Sequence, residues 1–345
     1  MGYLIKLGAI ATLLTVTRLI SHYFEPTKRV VRRLRKQCLM EPPYIYATTH
    51  DEVPNVLKYT RDGCLISDEV LVGGPADQDH VTEFRSMALG SYLGQGDVLF
   101  IGDAMSQESF LLMYDTCNSH GQREYKGTVV STEINPGADH TYGLAFDSDG
   151  NIYASFQHTD LVLRFQKDTF QPLPLPPALR SNKYWRDYFL GTVVQFGVPG
   201  VHRITEQGVR GITILGDDLW VANEDIGGVA VVSISTGVMH NIVVIRNPIG
   251  LFFDVDSGLL FVSSKDKHWR GGVFAIDPHL FRVVHTYSTM RMNHPSGITA
   301  YEGVLYVAEL ARGEILKFNV TSEKYLGTMV SDAPGEIEHL LLSPC

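Results

Sequence analysis

Four stretches of this chain repeat one pattern, and that pattern limits the fold more than any other feature does. They are YGLAFDSDGNIYAS from Tyr142, RGITILGDDLWVAN from Arg210, IGLFFDVDSGLLFVSS from Ile249 and SGITAYEGVLYVAE from Ser296. Each reads as a strand entered through a glycine (Gly143, Gly211, Gly250, Gly297), a tight Asp/Gly turn, and a second strand centred on an aromatic (Tyr153, Trp220, Phe261, Tyr306). A third strand follows about a dozen residues later: LVLRF ending at Phe165, VAVVSI near Val232, GVFAI near Phe274 and EILKF ending at Phe318. Beyond residue 40 the chain is a series of such short β-rich runs without a convincing amphipathic helix, so an all-β repeat architecture is expected.

Two degenerate copies lie upstream. YIYATTH with VLKYT, and DVLFIGD with FLLMY, add the aromatics Tyr46 and Phe100 and bring the count to six. The first copy lacks an innermost strand, whereas the chain finishes on an unattached one, Glu338 to Ser343. Joining the two closes a ring and removes its exposed edges, which predicts a six-bladed β-propeller with terminal strand closure. Closure brings Cys38 and Cys345 into one neighbourhood and predicts a disulfide between them. The alternative is four reduced thiols. The four cysteines form no C-x-x-C pair and no Cys/His cluster with zinc spacing, so no structural metal site is expected.

The charge is unevenly placed. Residues 1–40 hold eight Lys or Arg against one acidic residue, and the remainder carries 21 basic and 37 acidic residues, a net of −16 that argues against nucleic acid as a partner. Residues 3–24 are mainly apolar and as a helix would reach about 33 Å, enough to span hydrocarbon. Lys6 and Arg18 would snorkel to the headgroups, and no small-x-small cleavage site follows, so an uncleaved signal anchor over residues 1–40 with its basic linker is expected, followed by a propeller over 41–345. The basic run Lys28 to Lys36 would by itself place that flank in the cytosol, and an Arg-rich, acid-poor start also suits a mitochondrial presequence. The cysteine pair and the sequon Asn319-Val320-Thr321 favour a lumenal or extracellular propeller.

Between about 171 and 208 the spacing exceeds what a blade needs. Pro172, Pro174, Pro176 and Pro177 lead into an aromatic cluster, Tyr184, Trp185, Tyr188 and Phe189, and then a strand candidate, GTVVQF, so a surface insertion is predicted. Its aromatics suit either a docking patch or packing against the outside of blade three.

The repeat resembles the NHL repeat, whose pattern runs His-Pro-x-Gly, a hydrophobic strand, Asp-Gly and an aromatic strand; NHPSGITAYEGVLYVAE, from Asn293, and HTYGLAFDSDGNIYASF, from His140, are the nearest copies. In layout the chain is similar to strictosidine synthase-like proteins, paraoxonases and gluconolactonases, which share a six-bladed ring. The resemblance to that group implies calcium held in the central channel by Glu, Asn and Asp placed just before the innermost strands. A hard cation needs several oxygen ligands. The corresponding residues here are Tyr142, Arg210, Ile249, Ser296 and Glu338, with Arg85 near the place in blade two, and only Glu338 has the required chemistry. Arg210 has no lone pair to offer a cation, and an Arg210–Glu338 ion pair across the channel is expected instead.

Further polar residues fall just after the second strands, where loops line one mouth of the channel: His50, Asp51, Asp103, His158, Asn223 with Glu224, Lys265 with Asp266, and Glu309. Such a rim suits ligand binding and equally suits solvated connecting loops. His140 and His294 occupy the repeat's own His position and are expected to pack rather than to bind zinc. There is no G-x-S-x-G, H-E-x-x-H or phosphate-binding glycine loop. The expectation is therefore a membrane-tethered, non-catalytic propeller that binds a protein or small molecule, without a cofactor. Its ligand-binding residues would be Glu338, Arg210, Tyr142, His158, Asn223, Glu309 and Asp103. The alternative is a calcium-dependent lactonase or esterase of the paraoxonase kind.

Overall fold

Short β-rich runs separated by tight turns, most of them buried on both faces, form six small, mainly antiparallel sheets in the computed structural model of this chain. The structure describes residues 38, 40–49, 56–74, 83–104, 109–133, 138–171, 195–196, 208–224, 226–265 and 271–345. The expected N-terminal helix, most of the insertion with its aromatic cluster, and the rim residues His50, Asp51 and Asp266 lie outside these. Among the described residues no helix is long and apolar enough to cross a membrane.

The sheets are the blades of a six-bladed β-propeller. Blades four, five and six each run in chain order: from Val209–Leu215 outward to Met239–Val244, from Pro248–Asp254 to Arg282–Tyr287, and from Pro295–Tyr301 to Tyr325–Val330. Blade two starts at Phe84–Tyr92, passes through Gln95–Asp103 and Phe110–Tyr114 to Arg123–Ser131, and gains a short parallel outer strand, Leu71–Val72. Blade three starts at Thr141–Phe146 and ends on Gln195–Phe196, which pairs in parallel with Leu161 and Val162, so the end of GTVVQF supplies its outer strand. Blade one is closed by the chain end, as expected: Ile337–Ser343 pairs antiparallel with Tyr44–Thr49, Ile45 facing Leu342 and Ala47 facing Leu340.

The six aromatics read from the repeat occupy one register position. Ala88, Ala145, Thr213, Phe252, Thr299 and Leu341 of the innermost strands lie opposite Phe100, Tyr153, Trp220, Phe261, Tyr306 and Tyr46. Each aromatic is almost fully buried. The core divides into clusters between neighbouring blades; Trp220, Val229 and Val231 of blade four, for example, meet Leu260, Val262 and Ile276 of blade five. Burial of side chains this size stabilises by about 1.5–3 kcal/mol each, so every blade depends on both neighbours.

The inner strands approach each other at the backbone. A Cβ on Gly297 would lie 2.5 Å from the Cα of His339 in blade one, which is why glycine enters that strand. Three blades add a hydroxyl at the same level. Thr48, Ser155 and Ser263 accept the inner-strand N–H of His339, Gly143 and Gly250 at 3.0, 2.7 and 2.8 Å, and Ser155 and Ser263 also donate to the carbonyls of Arg210 and Ser296 in the next blade. The equivalent residues of the other three blades are Gly102, Ala222 and Ala308, so hydroxyl and small residue alternate around the ring.

The expected Cys38–Cys345 disulfide is not formed. Cys345 is bonded to Cys117, their Cα atoms 6.2 Å apart. Cys38 and Cys64 are disulfide-bonded too, and no cysteine is free. The physical reason is the position of the outer turns. Cys117 sits in the turn between the third and fourth strands of blade two, and Cys345, following the strand that closes blade one, is stapled to that turn. Tyr46 donates from its hydroxyl to the Cys345 carbonyl at 2.9 Å, and the fully buried Arg123 donates to the carbonyl of Asp115 at 3.0 Å beneath the same junction.

Candidate functional site: the channel and its polar plug

Six inner strands leave a central channel of about 490 Å³. At the end where the strands begin, the pre-strand residues converge. Glu338, 3% exposed, accepts the Tyr142 hydroxyl at 2.7 Å on Oε1 and an Arg85 N–H at 3.2 Å on Oε2. Arg85 also donates to Glu83 at 2.9 Å. Tyr142 lies between the two guanidinium groups, 4.7 Å from Arg210 and 5.9 Å from Arg85 at its ring centre.

The expected Arg210–Glu338 pair is replaced by a different one. Arg210 donates to Glu224 through Nε and a terminal nitrogen, at 3.0 and 2.6 Å, and to the Gln157 side chain at 2.7 Å. Lys265 takes the other Glu224 oxygen at 2.9 Å. Both residues belong to one hairpin: Arg210 and Glu224 each stand one residue from the facing pair Val209 and Asn223, diagonal to one another, and the long arginine side chain spans that diagonal within the blade. Arg85, which occupies the matching position of blade two, takes Glu338.

The electrostatics follow from burial and these contacts. Burial, and then the Glu338 charge, pushes the Tyr142 hydroxyl well above its ordinary range, so it is a neutral donor. Burial opposes the Arg85 charge, yet Glu338, Tyr142 and Glu83 outweigh it and hold the guanidinium above its usual value. Burial likewise opposes the Glu224 carboxylate, and Arg210 with Lys265 keeps it below the usual range. Glu83, Arg85, Glu338, Arg210, Glu224 and Lys265 thus bring three carboxylates and three cations together from four blades, with Tyr142 of a fifth between the two guanidinium groups.

The other expected residues separate from this plug. Asp103 is fully buried and accepts the Glu83 N–H at 2.9 Å, and Asn223 accepts the Ile226 N–H at 3.2 Å. Glu309 accepts the backbone N–H groups of Asn293 at 2.9 Å and His294 at 3.0 Å; burial nonetheless raises its pKa. All three hold loops. His158 stacks on His140 at 4.2 Å and lies 3.6 Å from Asp139. Burial, and then the Arg85 charge, lowers His140 to about 3, and burial lowers His294 as well, so both pack as neutral rings. Glu83 and Gln157, absent from the sequence expectation, join the plug from the loops that flank it.

These residues do not fit calcium. Two guanidinium groups stand among the pre-strand positions, both oxygens of Glu338 accept hydrogen bonds from protein donors, and the two oxygens of Glu224 are taken by Arg210 and by the Lys265 ion pair. Among the described residues no group of three or more His, Cys, Asp or Glu is placed to hold a metal.

No protein-family model and no curated protein matches the chain. Solved structures do match in fold. The chain is similar to one in a crystal structure of a nidogen/laminin complex, with TM-score 0.58 and 12% identity over 88% of this chain and 98% of that one. It is also similar to a protein of unknown function from Bacteroides caccae, with TM-score 0.56 and 12% identity over 88% and 99%. At such identities the likeness is one of fold alone.

Proposed function

We propose that this chain is a binding propeller, a rigid ring that docks a protein partner on its face and carries out no reaction in its channel. The observation that carries this reading is the mutual saturation of the plug. The carboxylates at this end of the channel, Glu338 and Glu224, are held by Arg85, Tyr142, Arg210 and Lys265, so neither stands ready as a general base or a cation ligand. The similarity to a propeller solved in a nidogen/laminin complex supports docking of protein. The repeat's likeness to NHL copies is part of the same reading.

The reading includes a tether and a compartment. The apolar run over residues 3–24 acts as a signal anchor, with the propeller on the lumenal or extracellular side. Support comes from the disulfide-bonded cysteines and from the sequon, whose Asn319 ends a strand and whose Thr321 is exposed in the following turn.

Thermal unfolding of the full chain in millimolar calcium and then in excess chelator tests the absence of a channel cation. The two midpoints are expected to coincide. A rise of several degrees with calcium would show a site binding only the folded state and would restore the calcium-dependent lactonase or esterase reading. A mobility shift on endoglycosidase treatment of protein from secreting cells tests the compartment; none is expected for a cytosolic propeller.

A further inference from the structure

Below the plug the channel changes character. Its wall is built from half-buried apolar side chains, among them Leu89, Leu144, Ile214, Leu251 and Phe253. At about 490 Å³ the space falls in the range of small-molecule sites, roughly 300–1,000 Å³, which are typically apolar with a few placed polar groups. At the strand ends remote from the plug, the inner hairpin turns of blades two and five, opposite one another in a ring of six, expose Leu93 and Val255 at 71% and 82%.

Two polar groups lining this space have donors without a protein partner. Thr299 is 1% exposed, and its hydroxyl makes no hydrogen bond. Arg85 spends its terminal nitrogens on Glu338 and Glu83, while its Nε–H is buried and unpartnered. A buried donor without a partner is costly, and a ligand acceptor recovers part of that cost. Charge sets the rest of the specification. Arg85 is already neutralised by its carboxylates, so an anion gains little, and a cation would meet a guanidinium at the floor.

We propose that the channel is a binding site for a neutral, mainly apolar small molecule bearing a carbonyl or ether oxygen, which accepts from Thr299 or Arg85 Nε while its body lies against the inner strands. This site is inside the ring and independent of the docking face, so either assignment can fail without the other.

Nile red, a neutral apolar fluorophore with a carbonyl, is a suitable probe. Titrated against the full chain, it is expected to bind saturably with one site per chain. Ile214→Trp and Leu251→Trp fill the channel from two blades, and each is expected to weaken binding at least tenfold where its thermal midpoint shows it folded. Thr299→Val preserves shape and is expected to weaken binding about threefold, whereas Val244→Ser, on the exposed outer strand of blade four, leaves it unchanged. Absence of saturable binding to the wild-type protein would overturn the proposal. So would equal affinity in wild type and a folded channel-filling variant, or in wild type, Thr299→Val and Val244→Ser alike.

Discussion

Glu338→Gln separates charge from shape at the centre of the plug. Glutamine keeps an acceptor for the Tyr142 hydroxyl, now at 2.7 Å, and removes the charge that Arg85 faces at 3.2 Å. The pair is well buried, with side-chain exposures of 2% for Glu338 and 14% for Arg85. Stranding one member of such a pair costs about 3–5 kcal/mol. Arg85 keeps Glu83, itself one-third exposed, so the lower end applies, about 3 kcal/mol. In a domain of this size about 1 kcal/mol moves the midpoint by about 2 °C, so a fall of about 6 °C is expected. Arg85→Met strands Glu338 and is expected to cost a similar amount. The double variant strands neither charge, and its loss should fall short of the sum by about 1–3 kcal/mol. Urea unfolding followed by circular dichroism supplies the cycle. A loss under about 0.5 kcal/mol for Glu338→Gln, or additivity within that margin, would refute the account of the plug as a coupled buried network.

Cys345→Ser opens a loop with a sequence separation of 228 and is expected to cost about 3 kcal/mol, and a non-reduced peptide map should join Cys117 to Cys345; a Cys38–Cys345 peptide would contradict the structure. Burial holds His339 at about 4, and burial with the Arg85 charge holds His140 at about 3, against an ordinary 6.5. Below pH 6.5 the folded state therefore binds fewer protons than the unfolded chain, so this stability is complete above 6.5 and falls as pH drops toward 4, by of order 4 kcal/mol for the two groups by pH 5. Urea midpoints at pH 7 and 5 measure this, with a shallower slope expected in His339→Gln; a flat profile would refute it. Gly297→Ala drives a Cβ into the backbone of blade one and is expected to cost about 3 kcal/mol by urea unfolding, whereas Gly96→Ala meets nothing within 4 Å and should be near neutral. Thr299→Val removes an unsatisfied buried hydroxyl, so its ligand-free urea midpoint should equal or exceed that of wild type.

The blade count and the closure were legible because they rest on local periodicity. A glycine at each of four strand entries, a tight turn and one aromatic per second strand are visible without knowing any partner, and the register confirms that the aromatics are equivalent. The chain ends were only half legible. An unattached final strand announces where it belongs, since an open edge has one natural mate. The partner of Cys345 depends instead on which outer turn lies beneath the closing strand, and the position of Cys117 within its turn carries no mark of that. The alternating Thr48, Ser155 and Ser263 were present in the repeats, but a hydroxyl bridging to a neighbouring blade's backbone looks like an ordinary small residue when each copy is read alone.

The plug shows the same limit in its electrostatics. Reading one pre-strand residue per blade grouped Arg210, Tyr142 and Glu338, which lie together at one end of the channel, yet it paired Arg210 with Glu338 because nothing else was in view. Charges at the exits of the second strands decide the pairing. Glu224 and Arg210 each stand one residue from the facing pair Asn223 and Val209, so an acid at that exit and an arginine at the inner-strand entry of the same hairpin lie diagonally within side-chain reach. Had that been applied, Arg210 would have been assigned to Glu224, and Glu338 would have been left to a cation from another blade, the place Arg85 fills. A ring position that holds a cation ligand in one propeller holds half of a salt bridge in another, and what distinguishes them is the charge of its hairpin partner.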